Sequence, residues 1–282
     1  MTVWQTARFA IRLDRPQVMG VVNVTPDSFS DGGRYVDAAG AIAHCDALVR
    51  EGAQILDIGG ESTRPGARAP GVEEELHRVL SVLRHAVGLG VPVSVDTSQP
   101  RVMQAALDLG VDIVNDVRAL QRDGALDVLA GHANAGVCLM HMQGEPGSMQ
   151  TTPGYDDVVA EVRDFLAARL RALRARGIAA NRIVLDPGIG FGKTVGHNLS
   201  LLRRQRELLD LGAPLLVGWS RKSTLGAVTG RPASQRQAVS VAAALLAVQR
   251  GAKIVRVHDV AATVDALALW RAIEDDPEAE EE

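Results

Sequence analysis

Val18-Met19-Gly20-Val21-Val22-Asn23-Val24-Thr25-Pro26-Asp27-Ser28-Phe29-Ser30-Asp31-Gly32-Gly33 is the stretch from which the fold follows. Its apolar start reads as a strand buried on both faces. The strand stops at one Asn and runs into a polar, glycine-tipped loop, the kind of segment that carries function on a rigid scaffold. A helical pattern over 38–51 follows and stops at Gly52. This strand–loop–helix unit recurs. Asp57-Ile58-Gly59-Gly60-Glu61-Ser62-Thr63-Arg64-Pro65-Gly66 leaves a second apolar strand, and Ser94-Val95-Asp96-Thr97-Ser98 ends a third.

Working outward, apolar runs fall at 18–24, 55–60, 91–97, 112–117, 137–142, 183–187, 215–220 and 254–259. Helical patterns fall at 38–51, 73–87, 101–109, 125–130, 155–176, 199–211, 234–250 and 261–273. Glycine follows seven of them (Gly52, Gly88, Gly110, Gly131, Gly177, Gly212 and Gly251), as a left-handed cap predicts. Apolar strands alternating with helices make a parallel sheet covered by helices, and eight units close it into a barrel. The predicted class is α/β, a single-domain (β/α)8 TIM barrel over residues 1–274, with 275–282 a solvated acidic tail. An open doubly wound sheet would carry Gly-x-Gly-x-x-Gly after its first strand, and this chain has none there. The connections 25–37, 62–72 and 143–153 are longer than a barrel needs, which marks them as functional loops.

The 282 residues hold 30 basic and 34 acidic side chains, for a net charge of -4, so no overall basic footprint for nucleic acid exists. Aromatics are only 3%, too few for base-stacking platforms. Cys45 and Cys138 read as two buried free thiols. No basic-then-apolar leader opens the chain and no uncharged run reaches the ~18 residues a membrane span needs, so a cytoplasmic protein without membrane contact is expected.

Barrels of this kind place their sites at the carboxyl ends of the strands. Here those ends read Asn23, Thr63-Arg64, Asp96, Asn115-Asp116, Met140-His141-Met142, Asp186, Ser220-Arg221-Lys222-Ser223 and Arg256-Val257-His258-Asp259. Asp96, Asn115 and Asp186 are rich in acceptors and suit a flat heterocycle with several N–H donors. Arg64, Arg221, Lys222, Arg256 and His258 form a cationic set that suits phosphate or pyrophosphate. Asn23 and Asp27 offer oxygens to a hard cation such as Mg²⁺. Phe191, in the loop Gly188-Ile189-Gly190-Phe191-Gly192-Lys193, can pack against a ring. Each residue also has a plainer reading. Asn115-Asp116 and Asp186-Pro187-Gly188 make turns, and Ser220 can cap a helix. Met140 and Met142 can fill core, His141 and His258 can be structural, and Arg68 and Arg118 can be loop charges. All these readings together would leave every strand of a barrel ending in an idle polar group. The Gly188–Lys193 spacing is not that of a P-loop, and no nucleophile elbow or paired metal motif occurs.

These stretches resemble the bacterial dihydropteroate synthases. The resemblance is carried by 23–33, 59–66 and 95–98, by Asn115-Asp116, and by Leu139-Met140-His141-Met142-Gln143-Gly144. It continues through 185–193, Ser220-Arg221-Lys222-Ser223 and Arg256-Val257-His258-Asp259-Val260. It spans almost the whole chain, with no departure at a motif position. It implies the condensation of 6-hydroxymethyl-7,8-dihydropterin pyrophosphate with p-aminobenzoate, giving 7,8-dihydropteroate and pyrophosphate.

By that resemblance Asp96, Asn115, Asp186 and Lys222 hold the pterin, Val117, Met140 and Phe191 line it, and Arg256 stacks on it. Asn23, Arg64, Arg256 and His258 take the pyrophosphate, and Mg²⁺ joins through Asn23. Thr63, Arg64, Pro65, Phe29, Phe191, Lys222 and Ser223 shape the p-aminobenzoate pocket, where sulfonamides should also bind. Asp96, Lys222, Arg256, Arg64 and Asp186 are the expected catalytic residues, and the loops holding 25–33 and Arg64 are expected to close once pyrophosphate is present. Two rivals share the pterin acceptors: a methyltetrahydrofolate-type methyltransferase, which has no need of the anion set, and a non-catalytic pterin-binding paralogue. The helix 234–250 is apolar nearly all round, which suits burial against a second subunit, and the resemblance likewise implies a homodimer.

Overall fold

The computed structural model describes residues 2–25, 34–62 and 69–274. Phe29, Thr63, Arg64, Pro65, the tip of the first loop and the acidic tail lie outside the described residues. Two short strands, β1 (Val3–Gln5) and β2 (Ala10–Arg12), form an antiparallel hairpin that pairs Trp4 with Ile11. Then come β3 (Gln17–Asn23), α1 (Arg34–Arg50), β4 (Ile55–Gly59), α2 (Val72–Ala86), β5 (Val93–Asp96), α3 (Pro100–Asp108) and β6 (Ile113–Asp116). The chain continues through α4 (Ala125–Gly131), β7 (Gly136–Met140), α5 (Val158–Ala175), β8 (Ile183–Asp186), α6 (Val195–Arg203) and β9 (Leu215–Val217). It closes with α7 (Ser223–Thr229), α8 (Gln237–Val248), β10 (Ala252–Val257) and α9 (Val260–Glu274). Strands β3 to β10 pair in parallel in chain order, and β10 returns to β3, giving the expected closed eight-stranded barrel.

Local chemistry starts and stops these elements. Glu73, Glu74 and Glu75 sit in the first turn of α2 and Arg84 and His85 in its last, matching the helix dipole at both ends. Pro100 opens α3, where a missing N–H costs nothing. Asp157 caps α5 by accepting from the backbone N–H groups of Val159 and Ala160, so that helix starts at Val158 rather than 155. Thr194 and His197 form a capping box that starts α6 earlier than its apolar pattern. The pattern over 199–211 is split: α6 ends at Arg203 and a 3-10 turn covers Gln205–Leu211. Similarly, 234–250 holds α8 preceded by a 3-10 turn at Ala233–Gln235. Gly90, not Gly88, takes the left-handed conformation after α2, and α4 closes on His132 in extended conformation.

Strand side chains alternate between two faces. One parity (Val22, Leu56, Ile58, Val95, Val114, Leu139, Leu185, Val255) packs outward in the main core with the helices. The other points into the barrel. At the amino-terminal end this inward set is Met19, Ile55, Ile113, Cys138, Val184, Leu216 and Ile254, a separate apolar cluster closed by Trp4, Ile11 and Leu13 from the hairpin. The Trp4 indole donates to the Arg182 carbonyl at 2.9 Å, and Arg8 in the hairpin turn pairs with buried Asp112 at 2.6 Å. The hairpin therefore floors the barrel. Both cysteines are buried and free, as expected. Among the described residues, no helix is long and apolar enough to cross a membrane.

Candidate active site at the mouth of the barrel

Continuing the inward parity to the carboxyl ends of the strands brings polar residues together. Asn23 ends β3 and Asp57 lies mid-β4. Asp96 ends β5, Asn115 lies in β6, Met140 ends β7, Asp186 ends β8, and Arg256 lies in β10 with His258 just after it. Asp96 stands beside Asn115 in the strand register, and Met140 beside Asp186. Asp116 has the opposite parity. Its carboxylate accepts from the backbone N–H groups of Arg118 (2.8 Å) and Leu120 (2.7 Å) and from the Ser98 hydroxyl, so the turn reading holds for Asp116 but not for Asn115.

Arg256 lies across the mouth. Its Nε donates to Asp57 Oδ2 at 2.6 Å and its Nη2 to Asp96 Oδ2 at 2.8 Å, while the Asn115 amide donates to the same Asp57 oxygen at 3.1 Å. Burial works against the Arg256 charge, but the two carboxylates outweigh it and hold the guanidinium protonated. Burial pushes the Asp96 carboxyl up, against the pull of Arg256 and with the help of Asp57. Asp57 is fully buried, and its Oδ1 has no hydrogen-bond partner among the described residues. It was missing from the residues expected to serve the site. The signal was available: a carboxylate inside Ile55-Leu56-Asp57-Ile58 shares the parity of the other site residues.

Across from this cluster, Val117, Met140, Met149 and Phe191 form an apolar patch of their own with Met142 packed on it. Three of them are the expected ring-lining residues; Met149 was not foreseen. Lys222 ends the loop after β9, and its Nζ stands 4.2 Å from the centre of the Phe191 ring. Burial lowers the Lys222 ammonium to about 8, aided by Arg256. Ser223 is exposed at the first position of α7. Buried Asp186 accepts from the Gly188 N–H at 2.7 Å, and burial raises its carboxyl.

Lys193 holds the loop that carries Phe191. Its Nζ reaches the carbonyls of Gly188 and Phe191, each at 3.0 Å, and His141 Nδ1 at 2.9 Å. Burial lowers His141 to about 3 and Lys193 to about 7. Gly188 and Gly192 have positive φ, and a Cβ on either would run into a backbone carbonyl, of His141 or of Gln143. His141 is thus structural.

On the far rim, His258 shares the Ser220 hydroxyl through its backbone N–H (3.1 Å) and Nδ1 (3.0 Å). Ser220 is therefore not a helix cap; Lys222 holds that position. Burial, then Arg256 and Arg221, keep His258 down at about 3, so it is a neutral ring rather than a cation. Arg221 is paired with Asp259 at 2.5 Å. Among the described residues, no three His, Cys, Asp or Glu side chains come together as a metal site.

Comparison with known proteins gives the family of this barrel. Residues 19–258 match the family described as pterin binding enzyme. The dihydropteroate synthase of Neisseria meningitidis serogroup C is 56% identical over 96% of this chain and 97% of its own. Dihydropteroate synthase from Xanthomonas albilineans, solved in complex with 7,8-dihydropteroate, superposes with a TM-score of 0.88 at 50% identity, covering 96% of this chain and 98% of that one. The Yersinia pestis enzyme, solved with a sulfonamide drug, superposes with a TM-score of 0.91 at 45% identity, covering 96% and 99%. The chain belongs to the pterin binding enzymes, and within them to the dihydropteroate synthases.

Proposed function

We propose that the mouth of this barrel joins dihydropterin pyrophosphate to p-aminobenzoate, with the residue roles set out below. One observation carries the reading: buried acceptors (Asp96, Asn115, Asp186), an apolar wall (Val117, Met140, Phe191) and cations (Lys222, Arg256) share the inward parity or face it. A pterin needs all three. Asp96, Asn115 and Asp186 accept from its N–H groups, and Lys222 donates to its carbonyl side. The pterin takes over Asp96 from Arg256, which then covers the ring face and reaches the pyrophosphate with Arg64.

The methylene C–O bond breaks first, and its electron pair leaves with pyrophosphate. Arg64, Arg256 and the neutral His258 donor meet the developing negative charge. Asp96 and Asp186 stabilise the positive charge left on the pterin methylene through the ring. The aniline nitrogen of p-aminobenzoate then forms the C–N bond with its own lone pair and gives its proton to water. That amine is free near neutral pH, so no strong base is required. Phe29, Thr63, Pro65, Phe191, Lys222 and Ser223 shape its pocket, and sulfonamides compete there.

Asn23 fits a cation that keeps most of its waters. Its side chain ends β3 at the mouth and makes no hydrogen bond to another described residue. Mg²⁺ held there would add charge against the leaving pyrophosphate. The reading also includes a homodimer and a cytoplasmic location. Val228 on α7, Leu246 on α8, and Leu269 and Ile273 on α9 leave apolar side chains exposed on neighbouring helices. A monomeric mass by light scattering at micromolar concentration would remove the dimer, and co-fractionation with membranes would remove the location.

The deciding experiment is pyrophosphate release from dihydropterin pyrophosphate with Mg²⁺, with and without p-aminobenzoate, for wild type and Lys222→Ala. Release that needs p-aminobenzoate and is lost in the variant supports the reading. Binding of the pterin substrate without release would leave a non-catalytic paralogue.

A further inference from the structure

The seam between β8 and β9 is the most weakly paired place in the barrel wall. Among the described residues these strands are in register at one position, Leu185 with Leu215, while every other neighbouring pair holds at least three. The loops that leave this seam carry facing parts of the proposed pterin site. The loop after β8 brings Phe191, next to Asp186 at the strand end, and the loop after β9 brings Lys222. The two loops meet closely. Lys222 Nζ stands over the Phe191 ring, and the Gly190 backbone runs so near that a Cβ there would come within 3.2 Å of Lys222 Cδ. Strand pairing does not reach this contact.

Asn198 supplies a tie. It lies on α6, between the two loops in sequence, and is only 1% exposed. A polar side chain that deep must be hydrogen-bonded, and this one is bonded at both ends. Its Oδ1 accepts from the Gly190 N–H at 2.8 Å, and its Nδ2 donates to the Thr224 hydroxyl at 2.9 Å. A backbone N–H can only donate, so the amide oxygen turns to Gly190 and the nitrogen to Thr224. Thr224 is itself buried in the first turn of α7, two residues past Lys222. The next carbonyl is held as well: Gln150 donates to that of Gly190 at 2.5 Å. One amide therefore joins the residue before Phe191 to the helix that begins after Lys222. A leucine would fill the place but make neither bond, leaving the Gly190 N–H without its partner.

We infer that Asn198 is a positioning residue for the pterin: it ties the loop after β8 to α7, and so holds the Phe191 ring and the Lys222 ammonium in one relative placement. The inference rests on the proposed function, in which both groups meet the pterin, and adds a residue to it. The effect of Asn198 passes through the two groups that it aligns.

The test measures the calorimetric Kd for dihydropterin pyrophosphate in Asn198→Leu, Asn198→Asp and Thr224→Val, and in Asn198→Leu combined with Phe191→Leu. Asn198→Leu is expected to raise Kd by about tenfold. Asn198→Asp, whose carboxylate can accept from both the Gly190 N–H and the Thr224 hydroxyl, recovers part of that loss. In the Phe191→Leu background the pair is already broken, and Asn198→Leu costs less than about threefold. A residue that only supported the fold would cost the same factor in both backgrounds, and that result overturns the inference. So does a Kd within about twofold of wild type in Asn198→Leu. If Asn198→Leu does not fold, Thr224→Val removes one end of the tie and keeps the shape. It is then read against Phe191→Leu in the same way, with about threefold expected in the wild-type background. A wild type that binds no dihydropterin pyrophosphate overturns the proposed function instead, so the two failures are distinct.

Discussion

The two ends of the barrel interior use the same residue parity for opposite purposes. At the floor the inward positions are Met19, Ile55, Ile113, Cys138, Val184, Leu216 and Ile254, closed off by Trp4, Ile11 and Leu13. Two residues further along four of those strands they become Asp57, Asn115, Asp186 and Arg256, and β5 adds Asp96 at the same level. The inward side chains of the floor cluster are all apolar, and its ion pair joins Arg8, in the hairpin that covers it, to Asp112. The mouth concentrates buried charge at a cost in stability, held down by one guanidinium shared between two carboxylates. Closure of the floor by apolar packing is what leaves the mouth free to carry unfavourable chemistry.

The sharpest way to break this contrast is Lys222→Ala. It should lower kcat/KM by about 10³-fold while leaving the melting temperature within a few degrees. A loss of fold with no specific loss of activity would put Lys222 in the structure instead. Trp4→Ala is the mirror experiment. It removes a fully buried indole and its hydrogen bond to Arg182, and should cost about 3 kcal/mol of stability in urea unfolding with kcat unchanged at low temperature. A large fall in kcat at full folding would show that floor and mouth are coupled.

Asp57→Asn separates the two ends less strongly. It keeps the shape but weakens the hold on Arg256, and should reduce kcat/KM by about 30-fold, or about 2 kcal/mol. Unchanged steady-state kinetics would assign Asp57 to packing alone. Glu75 gives the smallest effect. This buried carboxyl, which accepts from the Thr97 hydroxyl at 2.5 Å, is raised by burial to about 7. Its folded pKa lies above the unfolded one. The contribution to stability is therefore complete below about pH 4.5 and is lost as pH rises through 7. Glu75→Gln should flatten that loss by about 1 kcal/mol between pH 5 and 8, measured as the change in unfolding free energy with pH. An identical slope in both proteins would show that other groups set it.

The barrel and most of its mouth were legible because period-two alternation and apolar runs report burial directly. Asn23, Asp96, Asn115, Asp186 and Arg256 interrupt those runs at their carboxyl ends, and the structure gathers them at the mouth. The floor hairpin was not legible. Its strands are three residues each, with the mixed sequences Val-Trp-Gln and Ala-Ile-Arg, and no turn signature joins them. Asp57 was hidden by being inside a strand rather than at its end. The ion-paired place of Arg118 was hidden by its partners, because Glu61 and Glu145 reach it only through the pairing of strands β4 to β7. Helix 199–211 reads as one piece from its apolar spacing, although Arg204 faces Asp157 and Glu207 where the helix gives way to a 3-10 turn.

The hairpin also sets an order of events in folding. Trp4 is made before the barrel strands, but its hydrogen-bond acceptor lies 178 residues later in the chain. The apolar cluster it covers is completed only by Ile254. The hairpin can pair within itself early, but it must wait for almost the whole barrel before it docks, as expected of contacts with such long loops to close. Indole fluorescence at position 4 is then a clock for barrel closure, and not for the collapse that precedes it.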